Sequence, residues 1–573
     1  MSRSVGIDFG TTNSAIAVME GGEPKIIPNR RGERLTPSVV AFTKDDEVLI
    51  GTSAKNQSII NFERTISSIK RRFGTDCEIL VSARRLIAPQ IASLIIAHLK
   101  EDAEHFLDEK VDSAVITVPA YFTDAQRQDV KAAGEMAGLR VLRLINEPTA
   151  AALAYGLPRG AAGTIAIFDL GGGTFDISIL DISREVFEVI ATRGNNHLGG
   201  DDFDARLVSC ICDSFYREHG IDLRDDRMAF QKVREAAETA KIELSSAAST
   251  TVSLPFISAD ISGPKHLNLE ITRLQFEDLI TDYLDAIGQI VDDALDDAGM
   301  SVDEIDSVLL VGGSTRIPRI QQMLESKFSR VRRSINPDEA VALGAAIQAG
   351  ILTGSVRGLV LVDVAPMSLG IETENDVFVP IIERNSSIPT SRSRIFTTVV
   401  DNQTLVEVKV LQGERPQASK NFELGRFVLT GIKPAMRGAP RIEVLFDIDA
   451  DGLVHVLAKD METGSYRSIQ IDPTRKVSVE ETHRMIEDVE TYREEDEAFR
   501  KRARITRQAR DLLEKLRDKM IKEGEQWVQY RPEIFEVIGE FEETLGREDM
   551  EQLQIVMETM SGYLGDVPMP PAL

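Results

Sequence analysis

Residues 167–180, IFDLGGGTFDISIL, place three consecutive glycines between two short apolar runs. Asp169 comes before the glycines and Asp176 comes after them. Because glycine has no Cβ, successive backbone N–H groups can close around an anion and form a nest. A carboxylate beside such a nest suits the hard metal ion that accompanies phosphate groups. The stretch therefore predicts a phosphate-binding hairpin for a nucleoside triphosphate.

A second stretch of the same kind lies at residues 5–18, VGIDFGTTNSAIAV. It offers a carboxylate at Asp8, a glycine at Gly10 and hydroxyl groups at Thr11 and Thr12. Either stretch alone could be a tight glycine turn without a ligand. Two Asp-x-Gly copies, each between β-type runs, favour two related half-domains that grip one phosphate chain from both sides.

Two other phosphate-binding motifs are excluded. The chain contains no Gly-Lys dipeptide, so it has no Walker A loop. The only Gly-x-Gly spans Gly171 to Gly173, and position 176 is aspartate where a dinucleotide fingerprint needs a small residue. The predicted site is therefore neither a P-loop nor a Rossmann-type phosphate site.

Composition narrows the class of protein. The 573 residues carry a formal net charge of −26, which argues against nucleic-acid binding. The three cysteines fit neither a disulfide framework nor a four-ligand zinc site. The N-terminal residues MSRSVGIDFG contain no signal-peptide apolar region, and no run approaches the roughly 18 apolar residues of a membrane span. We therefore expect a cytoplasmic protein that binds neither nucleic acid nor membrane.

The pattern of the chain changes twice. Up to residue 355, short β-type runs alternate with helical ones, which predicts α/β layers. Residues 365–475 show period-2 alternation, and the Asp451–Gly452 pair between two alternating runs is a hairpin signal. Residues 476–573 have a helical pattern that ends in a short tail. The short apolar run GLVLVDVAP lies between the first two regions.

Many stretches of the chain, in order, resemble the DnaK-type heat-shock chaperone family, and they span most of residues 4–472. This resemblance implies an α/β actin/hexokinase-like two-lobed ATPase domain at residues 1–355 and an apolar linker at 356–364. It further implies an antiparallel β-sandwich domain for peptides at 365–475 and a C-terminal α-helical lid at 476–573. The matching stretches are GIDFGTTNS, VPAYFTDAQR, LINEPTAAALAYG, FDLGGGTFDISIL, HLGGDDFD, AKIELSS, VGGSTRIP, INPDEAVALGAA, SLGIET, LQGER and VLFDIDADGLVHVLAKD.

The resemblance also implies ATP and ADP as ligands, with Mg²⁺ and with K⁺ as a candidate second ion. Asp8 and Asp169, together with Glu147, would face Mg²⁺ largely through water. The implied catalytic residues are Lys70, Glu147, Asp169 and Thr174, with Lys70 orienting the attacking water. Taken singly, Glu147 could belong to a plain turn, and Glu238 and Lys241 could be an exposed i,i+3 pair. The implied ATP-binding residues are Gly10, Thr11, Thr12, Asn13, Gly171, Gly172, Gly173, Gly199, Gly200, Asp201, Glu238, Lys241, Ser245, Gly312, Gly313, Ser314, Arg316 and Asp338.

Further residues match the family's coupling and peptide-binding positions. Arg143 matches a position used with J-domain co-chaperones, and the linker matches the interdomain signal, although it could equally be the first strand of the β domain. Some of the pocket positions could be sandwich core. The implied coupling residues are Arg143, Leu359, Val360, Leu361, Val362 and Asp363, and the implied peptide-binding residues are Ile371, Glu374, Phe396, Val399, Val406 and Val408.

The chain departs from the family pattern in two places. Between Lys70 and Ala88 it is shorter by roughly thirty residues, so we do not expect a GrpE-type exchange factor, and the alignment around Lys70 is compressed. Glu374 stands where bacterial members carry methionine, and Val399 replaces a small residue. A carboxylate over an apolar channel is costly to desolvate, which predicts a changed peptide preference. These features resemble the bacterial HscC-type subgroup.

The predicted function is an ATP-dependent molecular chaperone that binds exposed extended segments of unfolded proteins and releases them under control of its ATPase cycle. We expect a monomer that works with polypeptide clients and a J-domain co-chaperone. The alternatives are a small-molecule kinase and an actin-like assembly protein on the same ATPase fold. Release of bound peptide on addition of ATP separates the three.

Overall fold

The structure is a computed structural model of the chain. It describes residues 3–45, 47–75, 77–81, 84–156, 162–183, 186–332, 336–470, 493–529, 533–547 and 550–564. The first residues of the predicted helical segment 476–573 lie outside this set. Within the described part of the chain, every helix is too short or too polar to cross a bilayer.

The first 156 residues form a sheet flanked by helices, with smaller strand pairs attached. A short 3₁₀ helix, Ile69–Arg72, lies between two of these strands. Helix α3 begins after Thr123, whose side chain caps the first turn. The strands are β1 Arg3–Phe9, β2 Asn13–Glu20, β3 Glu23–Ile27, β4 Thr36–Pro37, β5 Val40–Phe42, β6 Val48–Ile50, β7 Thr65–Ile66, β8 Ile79–Val81, β9 Arg84–Leu86, β10 Val111–Val118 and β11 Arg140–Asn146, and the helices are α1 Thr52–Lys55, α2 Ala88–Leu107, α3 Asp124–Met136 and α4 Glu147–Gly156.

The next region repeats the alternation of strands and helices. The sequence predicts one helix over 276–298, whereas the structure has two helices that meet at Ile280. The strands are β12 Gly163–Leu170, β13 Phe175–Ser183, β14 Val186–Asn195, β15 Ser249–Asp260, β16 Gly263–Thr272, β17 Ser307–Val311, β18 Val331–Arg332 and β19 Val360–Val364, and the helices are α5 Gly200–His219, α6 Arg227–Leu244, α7 Arg273–Leu279, α8 Thr281–Ala298, α9 Pro318–Lys327 and α10 Ala340–Leu352.

Two sheets in these regions share one topology. The first has the order β11-β10-β1-β2-β3, and the second contains the order β18-β17-β12-β13-β14. In each, the first three strands are parallel and the next two run antiparallel to their neighbours. We call the first sheet with its helices lobe I and the second lobe II. Corresponding turns, β1–β2 and β12–β13, carry the two glycine stretches.

Helices α4 and α10 pack on each other among buried residues from both sheets, such as Val115 of β10 and Ile167 of β12. The helices cross closely at Gly344, where an added Cβ would lie 1.7 Å from the carbonyl oxygen of Ala150. Any larger residue at position 344 would separate the helices. The two lobes therefore share a helical layer whose spacing depends on a small residue.

The remaining strands belong to an antiparallel region, and the last elements are helices. β26 and β27 form a hairpin in which Ile448 pairs with Val454 and Gly452 has φ 78°, as the Asp-Gly pair predicts. The elements are β20 Leu369–Thr373, β21 Val377–Ile382, β22 Ser387–Ile388, β23 Thr390–Phe396, β24 Leu405–Gln412, β25 Phe422–Thr430, β26 Ile442–Ile448, β27 Val454–Asp460, β28 Tyr466–Gln470, α11 Arg493–Gln529, α12 Ile534–Arg547 and α13 Met550–Leu564.

The chain divides into two compact units. The first comprises Met1–Gly370, Pro380–Gly413 and Glu423–Arg484, and it contains both lobes and the four-stranded sheet β23-β26-β27-β28. The second comprises Ile371–Val379, Glu414–Phe422 and Met485–Leu573. In the second unit, Ile505 and Leu516 of α11 pack with Phe541 of α12 and Met560 of α13 in one buried cluster.

Candidate nucleotide site

A cavity of about 330 Å³ lies in the first unit, where the glycine turns of the two lobes meet. Elements from both lobes contribute to its wall. Most of the residues that the sequence predicts for ATP are found there. The predicted residues that line it are Asp8, Gly10, Thr11, Thr12, Asn13, Lys70, Glu147, Asp169, Gly171, Gly172, Thr174, Glu238, Lys241, Ser245, Gly312, Gly313, Ser314, Arg316 and Asp338.

The two glycine hairpins approach each other so closely that side chains are excluded. A Cβ on Gly172 would lie 2.0 Å from Thr12 Oγ1, and a Cβ on Gly173 would lie 2.7 Å from Thr11 Oγ1. The threonine hydroxyls of lobe I therefore face the bare backbone of lobe II. Backbone N–H groups and hydroxyls that converge in this way are suited to phosphate oxygens.

Four carboxylates gather beside the hairpins. Asp8 is the next-to-last residue of β1, Glu147 begins α4, and Asp169 and Asp176 face each other across β12 and β13. Burial, followed by the charge of Glu147, raises the pKa of Asp8 to about 7 and that of Asp176 to about 8. The same two causes raise the pKa of Asp169 well above its usual value. The raised pKa values thus reflect first the burial of these carboxyl groups and second their repulsion by Glu147.

Asp176 was not among the residues that the sequence predicts for the site, although it lies three residues after Gly173. It is 1% exposed, and its Oδ1 accepts a hydrogen bond of 3.2 Å from the backbone N–H of Tyr121. Its Oδ2 is buried and has no hydrogen-bond partner among the described residues. Both faces of β13 are buried around Asp176, so the alternation of its side chains does not mark this aspartate as a site residue.

Lys70 lies in the 3₁₀ helix with 2% of its surface exposed. Its Nζ donates a hydrogen bond to Glu147 and lies 5.7 Å from the centre of the Phe122 ring. A lysine is rarely this buried unless it is paired. Although the segment that follows Lys70 is short, the structure brings Lys70 into the carboxylate cluster.

Four predicted residues support the phosphate hairpin without lining the cavity. One of them is Gly173. The other three, Gly199, Gly200 and Asp201, form the turn at the start of α5. The N–H of Gly200 donates to the carbonyl of Gly171 at 3.0 Å, and the N–H of Asp201 donates to the carbonyl of Gly172 at 2.8 Å. A Cβ on Gly199 would lie 2.6 Å from the carbonyl carbon of Gly172. The turn at the start of α5 therefore holds the lobe II hairpin in place through backbone hydrogen bonds.

The other end of the cavity combines charged and apolar groups. Arg316 Nη2 donates to Asp338 Oδ2 at 2.6 Å, and Lys55 Nζ of lobe I donates to Glu238 Oε1 at 3.0 Å. Apolar side chains that the sequence did not predict complete the wall, which then suits a flat aromatic base. They are Leu35, Ile242, Val311, Ile317 and Val341.

Within the first unit, the apolar linker extends the sheet of lobe II. Strand β19 pairs in parallel with β14, joining Val360 to Val186 and Val362 to Glu188, and its far end pairs with β22. The linker is thus both a strand of lobe II and the start of the antiparallel region. Leu359 packs against the cluster shared by the lobes.

The end of β19 reaches the segment next to Glu147. Asp363 is 5% exposed, and its Oδ2 accepts hydrogen bonds from Asn146 Nδ2 at 2.9 Å and Thr149 Oγ1 at 3.2 Å. Burial raises the pKa of Asp363, while Arg127 and Arg143 oppose that rise. Arg143 lies on β11, the strand that ends at Asn146.

The β26–β27 turn contacts lobe I. The Asp451 carboxylate accepts hydrogen bonds from Lys131 Nζ at 3.1 Å and from the backbone N–H of Leu144 at 3.0 Å. In the other direction, the N–H of Val454 donates to Asp124 Oδ1 at 2.9 Å. Helix α3 and strand β11 therefore hold the turn by reciprocal polar contacts.

The predicted peptide-binding residues are divided between the two units. In the first unit, Val408 is buried, Phe396 and Val406 are half-buried, and Val399 is exposed. In the second unit, Ile371 is buried, and Glu374 is exposed at the turn after β20. The burial of Val408 and Ile371 agrees with a contribution to the core of the strand region.

Glu374 forms an ion pair with Arg510 of α11, and their side chains are 48% and 40% exposed. In this arrangement Glu374 therefore keeps about half of its exposure and has a cationic partner, so its carboxylate does not bear the full cost of desolvation.

The family model described as Hsp70 protein matches residues 4–86 and 77–567. The match covers both lobes, the linker, the strand region and the helices that follow. Neither the kinase alternative nor the actin-like alternative accounts for the matched C-terminal half. The chain therefore belongs to the Hsp70 family and is a nucleotide-binding ATPase and an ATP-dependent chaperone for unfolded polypeptides.

Proposed function

We propose that this chaperone hydrolyses ATP within residues 1–355 and binds extended polypeptide at residues 365–475. Residues 356–364 transmit the nucleotide state, and residues 476–573 form the lid. The relation that supports this proposal best is the contact between Asp363 of β19 and Asn146, the residue before Glu147. It joins the linker to the carboxylate cluster through one hydrogen bond and one peptide bond.

In the proposed hydrolysis step, Lys70 orients the attacking water while Thr174 and the glycine N–H groups hold the phosphate oxygens. Glu147 holds Lys70 in place through their ion pair. Catalysis of this kind consists mainly of positioning and electrostatic stabilisation. The surrounding lobes exclude bulk water and so strengthen each of these interactions.

Mg²⁺ would bind beside these carboxylates through water, since no group of three or more such side chains among the described residues is arranged to hold a metal ion directly. A bound cation would relieve the repulsion from Glu147 that, after burial, raises the pKa of Asp8 and Asp176, and the buried Asp176 Oδ2 has no hydrogen-bond partner among the described residues. Asp8 and Asp169, with Glu147, would hold the ion largely through water, as a hard cation that keeps its hydration requires. Bound Mg²⁺ would neutralise phosphate charge at this point. K⁺ is a second candidate ion.

The coupling follows from differential binding. ATP closes the lobes and favours the paired state of β19, and ADP favours its release. By reciprocity, whatever stabilises the paired state also favours ATP. A J-domain co-chaperone acting near Arg143 would stimulate hydrolysis through the Asn146–Asp363 contact.

The proposed peptide site binds extended apolar segments by main-chain hydrogen bonds and side-chain pockets. Glu374 adds a carboxylate beside β20, which favours clients with basic residues next to their apolar core. Arg510 of α11 forms an ion pair with the same carboxylate when the lid residues lie against the turn after β20. Lid and basic client residues therefore compete for Glu374.

Other features of the proposal rest on sequence. We propose a monomer of the cytoplasm that uses a J-domain partner and no GrpE-type exchange factor. The HscC-type subgroup is proposed from Glu374 and from the short segment before Ala88. These assignments are independent of the coupling proposal.

Hydrogen–deuterium exchange tests the coupling proposal directly. A peptic fragment that covers residues 358–364 should exchange slowly with ATP and Mg²⁺, when its strand is paired with β14, and faster with ADP. A fragment from the buried strand β12 is the control and should stay protected in both states. Equal exchange of the linker fragment in the two nucleotide states would contradict the proposal.

A further inference from the structure

Arg71, the neighbour of Lys70, belongs to lobe I but binds lobe II. Its Nη1 donates to Asp202 Oδ1 at 3.2 Å and its Nη2 donates to Asp202 Oδ2 at 2.5 Å. Nη2 also donates to the carbonyl oxygen of Gly173 at 3.2 Å. The guanidinium thus joins the start of α5 to the phosphate hairpin of lobe II. A planar fork that reaches two acceptors in this way is a property of arginine and not of lysine.

The acceptor side is held in place by its own contacts. Asp202 Oδ2 accepts a hydrogen bond of 2.8 Å from the backbone N–H of Gly199 and so caps the first turn of α5. The side chains of Arg71 and Asp202 are 21% and 19% exposed. Since both charges are largely removed from water, the pair is screened less than a surface ion pair.

A second contact ties the same segment to lobe II. Ser68 Oγ donates to Asp201 Oδ2 at 2.8 Å, and Ser68 itself has a left-handed backbone with φ 51°. The segment from Ser68 to Arg71 is therefore fastened to lobe II at both of its ends. Lys70 lies between these two points and faces back into lobe I, where it pairs with Glu147.

This geometry makes one short segment depend on both lobes. If lobe II moved away, Ser68 and Arg71 would lose their partners, and the backbone that carries Lys70 would lose its support. Residues 68–71 would then be held to lobe I by the buried side chain of Ile69, the Lys70–Glu147 pair and the contact of Lys70 with the Phe122 ring. Closure of lobe II over the phosphates therefore adds the two polar contacts that restrain the segment on either side of Lys70.

We propose that Arg71 is a positioning residue that links closure of lobe II to the placement of Lys70. It holds the 3₁₀ segment against the Gly173 carbonyl only when the lobes are closed around the phosphates. The inference rests on the proposed role of Lys70 in hydrolysis. It differs from a purely structural brace because its effect on the rate must pass through Lys70.

The test is a double-mutant cycle read out by single-turnover ATP hydrolysis with Mg²⁺. Arg71→Ala should lower the hydrolysis rate by roughly tenfold to a hundredfold, the range for a misplaced catalytic group. Arg71→Lys, which retains the charge but not the fork, should give an intermediate rate. Arg72→Ala, at an exposed position in the same 3₁₀ helix, is the matched control and should match wild type.

The decisive variant is Lys70→Ala combined with Arg71→Ala. If Arg71 acts through Lys70, the double variant should hydrolyse ATP no more slowly than Lys70→Ala alone. If Arg71→Ala lowers the hydrolysis rate of the Lys70→Ala protein by the same factor as it lowers that of wild type, the inference is overturned while the role of Lys70 stands. A Lys70→Ala protein with a wild-type rate would instead overturn the proposed hydrolysis step and this inference with it. Arg71→Gln, which keeps the length and an amide donor, replaces Arg71→Ala if thermal melting shows that the alanine variant does not fold.

Discussion

Asn146 Nδ2 donates a hydrogen bond of 2.9 Å to Asp363 Oδ2. Asn146 is the last residue of β11, and Glu147, which pairs with Lys70, follows it directly. Asp363 lies on β19, which is also a strand of the lobe II sheet. A change in the pairing of the linker therefore alters the support of the residue next to the carboxylate cluster.

We predict that Asp363→Ala and Arg143→Ala abolish stimulation of the ATPase by a J-domain protein but leave the basal rate within about twofold. Loss of Asp363 leaves the Asn146 and Thr149 donors without this acceptor, which costs about 1–3 kcal/mol per unsatisfied buried group. Steady-state hydrolysis with and without a J-domain protein measures both quantities. Glu20→Ala, which removes an exposed carboxylate paired with Lys25, is the control. Stimulation that remains at the wild-type level would refute the coupling role.

Contact between the β26–β27 turn and lobe I should weaken as the pH rises from about 4 to about 7. Burial raises the pKa of Asp124 to about 7, although the N–H of Val454 opposes the rise. Away from the turn, an aspartate at the start of a helix has a pKa near or below about 4. The docked state thus binds the proton more tightly, so docking is strongest at low pH and reaches a constant, weaker level above about pH 7.

Fluorescence resonance energy transfer between dyes on lobe I and on the sheet β23-β26-β27-β28 measures this dependence with ATP bound. Asp124→Asn should dock more firmly at pH 7.5 and show a flatter pH profile, because the amide oxygen can still accept from Val454. Arg127 and Asp449 face the same carboxyl, and burial also raises the pKa of Asp363. Docking of the Asp124→Asn variant should therefore still depend somewhat on pH. Asp112→Asn, at an exposed position of β10, should leave the profile unchanged. An Asp124→Asn profile identical to wild type would show that this carboxyl does not control docking.

Gly172→Ala should lower the affinity for ATP by roughly tenfold or more, since a Cβ would lie 2.0 Å from Thr12 Oγ1 and force the hairpins apart. Isothermal titration calorimetry gives the affinity directly. Gly288→Ala is the matched control, because it lies in α8 with open space around its Cβ position. That variant should bind ATP as wild type does and gain about 0.5–1 kcal/mol of stability from its better helix propensity. Normal ATP binding by Gly172→Ala would contradict the close apposition of the two hairpins.

Glu374 and Arg510 should set the charge preference of bound peptides. Wild type should bind an apolar peptide with lysine flanks roughly threefold to fivefold more tightly than the same core with neutral flanks, as an exposed ion pair allows. Glu374→Met should remove this preference, and Arg510→Gln should increase it because the competing cation is gone. Fluorescence anisotropy measures the affinities. Arg517→Gln, whose arginine pairs with Glu542 of α12 instead, is the control on the same helix. Equal affinities of wild type and Glu374→Met for the lysine-flanked peptide would rule out this role.

The stability of the lid contact should depend on a different pair. Arg415 and Asp496 form an ion pair of 2.7 Å with side chains only 3% and 12% exposed. Asp496 and Arg510 are fourteen residues apart on α11, which places them on one face about 21 Å from each other. We therefore expect the buried pair to attach α11 more firmly, and the exposed Glu374–Arg510 pair to be the one that exchanges with client residues.

The sequence predicted the glycine hairpins with Asp8 and Asp169, because their chemistry depends on short motifs that are continuous in the chain. The residues of the adenosine side are implied only by the family resemblance. Lys70 could be assigned only by resemblance, since nothing local to residues 66–75 indicates that its Nζ meets Glu147. Asp176 and Arg71 escaped prediction for the same physical reason. Each acquires its partners through contacts between strands or lobes that are distant in sequence, and such contacts leave no periodic signal.

The ion pair of Glu374 is another contact that could not be predicted from the sequence. Its partner, Arg510, lies on a helix more than a hundred residues later, so nothing near residue 374 in the sequence indicates this ion pair. The predicted helix 276–298 is split at Ile280 for a local reason that the spacing of its apolar residues does not indicate. Thr281 donates to the carbonyl of Glu277 while the apolar spacing continues through the break.

ATP bound between the lobes should control the release of peptide from the C-terminal half. Stopped-flow fluorescence of a labelled peptide bound to the full-length protein, after mixing with ATP and Mg²⁺, measures this release. ATP should accelerate release roughly tenfold or more over ADP, in wild type and in Lys70→Ala, because binding and not turnover drives the change. Identical release rates with ATP and ADP in the wild-type protein would show that the nucleotide does not control the peptide.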